Sequence, residues 1–84
     1  MNEKTVIWSK ANCPYCDMAK NFLESKNIKF EERKIDGKTW TREQLFESVP
    51  NAKTVPQIFL HGTYIGGYAE LMNYAQDHGM YSND

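Results

Sequence analysis

The stretch "TVIWSKANCPYCDMAKNFL", residues 5–23, commits the chain to a strand that turns within a few residues into a helix. Thr5–Ser9 is a short β-branched and aromatic run, the composition of a buried strand. "KANC" is a loop. Pro14 then suits the first turn of a helix, because the N–H it lacks has no acceptor there. From Pro14 to about Lys26, Cys16, Ala19, Phe22 and Leu23 share one helical face, while Asp17, Lys20, Asn21 and Glu24 lie away from it. The next strand then lies parallel to the first, with the helix covering one sheet face.

That strand is in "KNIKFEERKID", residues 26–36, where Glu32 and Lys34 share parity with Phe30. Charge at such positions is the pattern of a protected sheet edge. Thr41 and Gln44 fit a capping box that opens a second helix, with Leu45, Phe46 and Val49 as its buried side and Pro50 closing it. "PQIFL" and "TYIGG" read as two short strands joined by a His61-Gly62 hairpin turn. "YAELMNYAQDH", residues 68–78, reads as a last helix with Leu71, Met72 and Ala75 inward and Gly79 at its stop. The order β-α-β-α-β-β-α predicts an α/β domain over residues 1–84, a four-stranded mixed sheet with helices on both faces.

Ten basic and eleven acidic residues give a net charge of -1, and they are interspersed. No basic footprint for nucleic acid is present. The N-terminal apolar run, Val6 to Trp8, is too short for a signal-peptide core or a membrane span, so a cytoplasmic protein is expected. Thiols in that compartment are held reduced, which disfavours a purely structural disulfide.

Cys13 and Cys16 are the chain's two cysteines. As half of a zinc site they would need His61 and His78, which are separated by sixteen residues where three to five are usual, so no metal is expected. As a staple, a bridge across about four residues is worth roughly 2 kcal/mol, against about 3 for a fifteen-residue loop. As a redox dithiol, the pair is well placed. A free thiol of pKa about 8.5 is only about 3% ionised at pH 7. Lowering that to about 5 requires roughly 5 kcal/mol of preference for the anion. A helix dipole supplies about 0.3–2 kcal/mol, and N–H···S⁻ hydrogen bonds from the first turn must add the rest. Cys13 precedes the helix, and Lys10 lies three residues upstream. Cys16 lies on the apolar face, one turn in. The pattern assigns attack to Cys13 and resolution to Cys16.

"CPYC" (Cys13–Cys16), "TVPQIF" (Thr54–Phe59) and "IGGY" (Ile65–Tyr68) together resemble a dithiol glutaredoxin, over nearly the whole chain. The compact size points to a bacterial or phage member. The resemblance implies a thioredoxin-like fold and reduction of protein disulfides and glutathione mixed disulfides with electrons from glutathione. It implies a monomer, with ribonucleotide reductase a common client. It places a cis peptide bond at Val55-Pro56, turning Thr54 and Val55 toward Cys13 so that Val55 pairs with the cysteinyl part of glutathione. Lys10 would meet the glycyl carboxylate, and Tyr15 would line the groove. Gly67, Tyr68 and Ala69 would hold the γ-glutamyl carboxylate through free N–H groups. Two positions that are commonly a polar residue and an Asp in the family are Ala69 and Glu70 here. Glu70 either binds the γ-glutamyl amine or merely complements the helix dipole. A redoxin served by thioredoxin reductase and an iron–sulfur module are the alternatives. Lys10, Thr54 and the Gly-Gly helix start speak against the first, and Pro14 with Cys16 against the second. The tail "GMYSND" carries no readable signal.

Overall fold

The computed structural model describes residues 4–79. Its elements are β1 (Val6–Ser9), α1 (Pro14–Ser25), β2 (Glu31–Lys34), α2 (Arg42–Ser48), β3 (Gln57–Leu60), β4 (Thr63–Gly66) and α3 (Tyr68–Asp77). The order matches the sequence expectation. The sheet runs β2-β1-β3-β4, with β1 parallel to β2 and the other pairs antiparallel. β2 is an edge, as its charges predict. Thr5 stays outside the first strand, but its backbone carbonyl accepts from the Glu31 N–H at 2.9 Å and its hydroxyl from the His61 N–H at 3.0 Å. Among the described residues no helix is long and apolar enough to cross a membrane.

Alternate residues of β1 serve opposite faces. Ile7 joins Ala19, Leu23, Ile58, Leu60 and Leu71 in the core under α1 and α3. Val6 and Trp8 join Leu45 and Val49 in a second core under α2. On that second face the Arg33 guanidinium lies 5.2 Å from the Trp8 ring centre and 4.5 Å from that of Trp40. Such cation–π contacts contribute about 0.5–1 kcal/mol each where partly exposed.

The helix ends follow their sequence signals. Thr41 Oγ1 accepts from the Gln44 N–H at 3.2 Å, and Gln44 Oε1 accepts from the Thr41 N–H at 2.8 Å. This is the capping box expected there. One expectation fails: Phe46 is not on the buried side of α2 but 43% exposed. Leu45 and Val49 are four apart and share the inward face, while Phe46 is turned about 100° from Leu45. In α3, Leu71 and Ala75 are buried and Met72 is partly buried against the same core.

β2 also departs from a plain solvated edge. Glu32 pairs with Ile7 and has its parity, so its side chain lies on the α1 face. There its Oε2 accepts from Ser9 Oγ at 2.6 Å and from Lys20 Nζ at 2.9 Å. Those hydrogen bonds, from Lys20 first and then Ser9, hold the Glu32 carboxyl below its usual range. Glu32 in turn raises the Lys20 ammonium above its own.

Candidate active site

Asn12, with φ of 56°, turns the chain from β1 into α1. Asn tolerates that left-handed conformation better than most residues. Cys13 follows as the N-cap of α1, in extended conformation, and Pro14 takes the first helical position. An N-cap side chain is the one aimed at the free N–H groups of the first turn. Here that side chain is a sulfur: Cys13 Sγ accepts from the Cys16 N–H at 3.2 Å. Cys13 and Cys16 are joined as a disulfide, with Cα atoms 5.2 Å apart. Cys13 is 7% exposed and Cys16 fully buried, so an incoming partner meets Cys13 first.

The sulfur is flanked from across the sheet. The Val55-Pro56 peptide bond is cis, and the Val55 carbonyl oxygen lies 3.8 Å from Cys13 Sγ. A reduced Cys13 has an S–H that can donate to this oxygen, and the oxidised sulfur has none. Pro56 is buried, while Thr54 is exposed. The Gln57 side chain donates to the Thr54 carbonyl at 2.8 Å and fixes that backbone.

From Val55 a groove of about 470 Å³ runs away along the α2 side. Lys10, Arg42 and Lys53 bring positive charge to it, against Glu43, and Leu45, Phe46, Thr54 and Val55 line it as well. Sequence reasoning singled out Lys10, Thr54 and Val55, and missed Arg42, Lys53 and the role of Phe46. A signal existed for Arg42. A cation in the first turn of a helix opposes the dipole, so it is not there for the helix.

On the other side of the disulfide, Tyr15 is 61% exposed and its ring centre lies 5.7 Å from that of Tyr68. Tyr68 opens α3 immediately after the Gly66-Gly67 turn. Gly66 has φ of +123°, and a Cβ there would meet Glu70 Cγ at 2.9 Å. The Glu70 carboxylate sits over the turn and its Oε1 accepts from the Gly67 N–H at 2.9 Å. The Leu71 N–H is bonded to the Gly67 carbonyl, whereas Tyr68, Ala69 and Glu70 have no acceptor in a preceding helical turn. Lys10, Thr54 and Val55 therefore lie on one flank of the disulfide, and Tyr15 and Tyr68 on the other. Among the described residues no group of three or more His, Cys, Asp or Glu side chains could hold a metal ion.

A sulfur at a helix start, the more accessible of a bonded pair whose other member is fully buried one turn in, and flanked by a cis-proline turn, is suited to thiol–disulfide exchange. The thiolate is the attacking species in that chemistry, and a resolving thiol must stand beside it.

Comparison with known proteins agrees. The sequence profile described as Glutaredoxin matches residues 5–65. The chain is 44% identical over 71 residues to Glutaredoxin 3 of Escherichia coli (strain K12), covering 84% of this chain and 82% of that protein. It is 41% identical over 66 residues to the glutaredoxin of Pseudomonas aeruginosa, covering 79% and 77%. Among solved structures, glutaredoxin 1 from Francisella tularensis, complexed with cacodylate, superposes with a TM-score of 0.75 at 33% identity, over 92% of this chain and 96% of that one. A buckwheat glutaredoxin–glutathione complex gives 0.75 at 25% identity, over 88% and 69%. With the thioredoxin-like fold and a paired Cys13 and Cys16 at the head of α1, the chain belongs to the glutaredoxin family of thiol–disulfide oxidoreductases.

Proposed function

We propose that the protein reduces glutathione mixed disulfides and protein disulfides with electrons from glutathione. The observation that carries this reading is the cationic groove that leads to Val55 beside Cys13. A tripeptide whose cysteine sulfur meets Cys13 has a glycyl carboxylate to place, and Lys10, Arg42 and Lys53 offer it charge-assisted hydrogen bonds. Val55 pairs its backbone with the cysteinyl residue, in the manner of an added strand, with Thr54 and Pro56 shaping that wall. Tyr15 and Tyr68 shield the sulfurs. The γ-glutamyl carboxylate takes the N–H groups of Tyr68 and Ala69, next to Gly67. Glu70 keeps the Gly66-Gly67 turn in place by accepting from the Gly67 N–H. The buckwheat glutaredoxin was solved as a glutathione complex, which supports the same ligand here.

The Cys13 thiolate attacks the glutathione sulfur of a mixed disulfide. A bond forms between Cys13 and glutathione, and the target thiolate leaves and takes up a proton. A second glutathione thiolate attacks that glutathione sulfur, releasing oxidised glutathione and regenerating Cys13. With a protein disulfide, Cys16 instead attacks Cys13, expels the target thiolate and leaves the Cys13–Cys16 bridge seen here. Family couples lie at about -200 to -230 mV, near a glutathione pool. We further place the protein in the cytoplasm as a monomer, with disulfide-bearing enzymes such as ribonucleotide reductase as clients.

The test is turnover of a small glutathione mixed disulfide with glutathione and glutathione reductase, compared with thioredoxin reductase as electron source. Turnover is expected with the first and none for Cys13→Ser. Activity with thioredoxin reductase alone would overturn the reading.

A further inference from the structure

Gln57 is a buried polar residue at the start of β3, in a strand whose Ile58 and Leu60 are apolar core. A buried amide costs stability unless its hydrogen bonds are made. Both ends of this one are used. Its Nε2 donates to the Thr54 carbonyl at 2.8 Å, and its Oε1 accepts from the Tyr64 hydroxyl at 2.6 Å. The chemistry of the partners fixes this orientation. A carbonyl only accepts, so the NH2 end faces Thr54, the oxygen end faces Tyr64, and the hydroxyl donates. Tyr64 stands opposite Phe59 in the pairing of β3 with β4, and the two ring centres are 5.2 Å apart. The chain of bonds therefore runs from β4, across β3, to the loop beside Cys13.

What that chain fixes is a peptide plane. Thr54 is exposed, so water can satisfy its carbonyl without Gln57. A side chain held at both ends gives the carbonyl a fixed direction instead. The cis bond lies at Val55-Pro56, and the Thr54–Val55 peptide before it is trans. In a trans unit the C=O and N–H point to opposite sides. With the Thr54 carbonyl turned to Gln57, the Val55 N–H is turned away from it. That N–H has no acceptor among the described residues. Val55 lines the groove, and its own carbonyl oxygen lies 3.8 Å from Cys13 Sγ. One residue next to the sulfur thus offers both a donor and an acceptor, the pair that an added strand needs.

We propose that Gln57 and Tyr64 are positioning residues that set the Val55 backbone for disulfides carrying a peptide. The proposal rests on the pairing of Val55 with a cysteinyl residue given above. Gln57 acts through the Thr54 carbonyl and not on the sulfur. Tyr64 acts through Gln57, by holding its amide in one orientation. Together they favour a substrate whose cysteine has backbone groups on both sides, and they add nothing for a disulfide that has none.

Two disulfides with one leaving group separate this role from packing: the glutathione–pyridyl mixed disulfide and dipyridyl disulfide. Attack by Cys13 of the reduced protein releases the same pyridinethione from each, and absorbance gives the two second-order rate constants. Their ratio, divided by the ratio found with free 2-mercaptoethanol, is the peptide preference, and wild type should show one. Gln57→Met keeps the length of the side chain and removes both hydrogen bonds. It should react about three- to tenfold more slowly with the glutathione disulfide, the worth of about one hydrogen bond. With dipyridyl disulfide it should keep the wild-type rate, which also shows that it folds. Tyr64→Phe keeps the ring beside Phe59 and should lose about two- to threefold with the glutathione disulfide alone. Added to Gln57→Met, Tyr64→Phe should change nothing further, because it acts only through the amide. Equal losses with both disulfides mark a packing role and overturn the proposal. So does a wild-type preference in both single variants, or full additivity of the two. A wild type with no peptide preference removes the pairing at Val55, and the proposal with it.

Discussion

Glu70 Oε1 accepts from the Gly67 N–H at 2.9 Å, so the first turn of α3 carries its own carboxylate. Gly67 has no side chain to cap the helix, and Glu70 supplies the half of a capping box that is available. Glu70→Ala should cost about 0.5–1 kcal/mol in denaturant unfolding, at the low end for a solvent-facing cap. The KM for glutathione should stay level or fall, because the variant frees an N–H for the ligand. A tenfold rise in KM would mean that Glu70 leaves Gly67 to pair with the ligand's ammonium.

Phe46 and Leu45 are neighbours with opposite expected costs. Leu45 is 4% exposed in the core under α2, and Phe46 is 43% exposed. Leu45→Ala should lose about 2–4 kcal/mol, the range for emptying a packed aliphatic site. Phe46→Ala should stay within about 1 kcal/mol, because most of its surface already faces water. Equal losses in thermal or denaturant unfolding would place Phe46 back in the core.

These two residues also show where the sequence was readable. Period and caps specified every strand and helix, because each depends on residues within a few positions of one another. CPYC and TVP announced the sulfur and the turn beside it. Phe46 was misread because both apolar residues of a seven-residue helix, Leu45 and Phe46, were assigned to one face together with Val49 at its C-cap. Arg42 and Lys53 were not legible as a pair. They come from a helix start and a loop, and only the tertiary fold brings them to the groove with Lys10. Glu32 looked like plain edge protection. Its ties to Ser9 and Lys20 span 23 and 12 residues, beyond any local pattern.

Arg42 should contribute to glutathione affinity through the glycyl carboxylate. An exposed charge pair is worth up to about 1 kcal/mol, or roughly fivefold. Arg42→Ala should therefore raise the KM for glutathione about two- to fivefold with little change in kcat. The effect should shrink with added salt and vanish with glutathione esterified at its glycine. A variant that lowers kcat alone, or responds equally to the ester, would move Arg42 out of the binding role.

Cys16→Ser should separate two activities. Reduction of glutathione mixed disulfides needs only Cys13 and a second glutathione, so it should survive at a rate within about tenfold of wild type. Reduction of protein disulfides needs the intramolecular attack and should fall to background. Trapping is the direct check: the variant should accumulate a Cys13 mixed disulfide with the protein target, visible by mass. Equal loss of both activities would contradict the division of roles.

The pH dependence of stability follows from the two carboxylates of β2, Glu31 and Glu32, on opposite faces of the sheet. Glu32 is held below its usual carboxylate range by Lys20 and Ser9, and Glu31 below its own by hydrogen bonds from Lys4 and Arg33. A carboxylate lowered in the folded state contributes stability that is present above its unfolded value, about 4.3, and is lost as pH falls through the folded one. Lys20 is raised above 10.5, so its contribution is present below the unfolded value and is lost as pH climbs through the folded one. At neutral pH all three contributions are in place. Denaturant unfolding should therefore give a flat stability from about pH 6 to 9 and a decline below about pH 4.5. Glu32→Gln should lower the plateau, because it leaves Lys20 without this partner, and should make the acid decline shallower, because one titrating group is gone. An acid slope identical to wild type would show that Glu32 does not bind its proton more weakly in the folded state, and that its ties to Ser9 and Lys20 do not persist in solution.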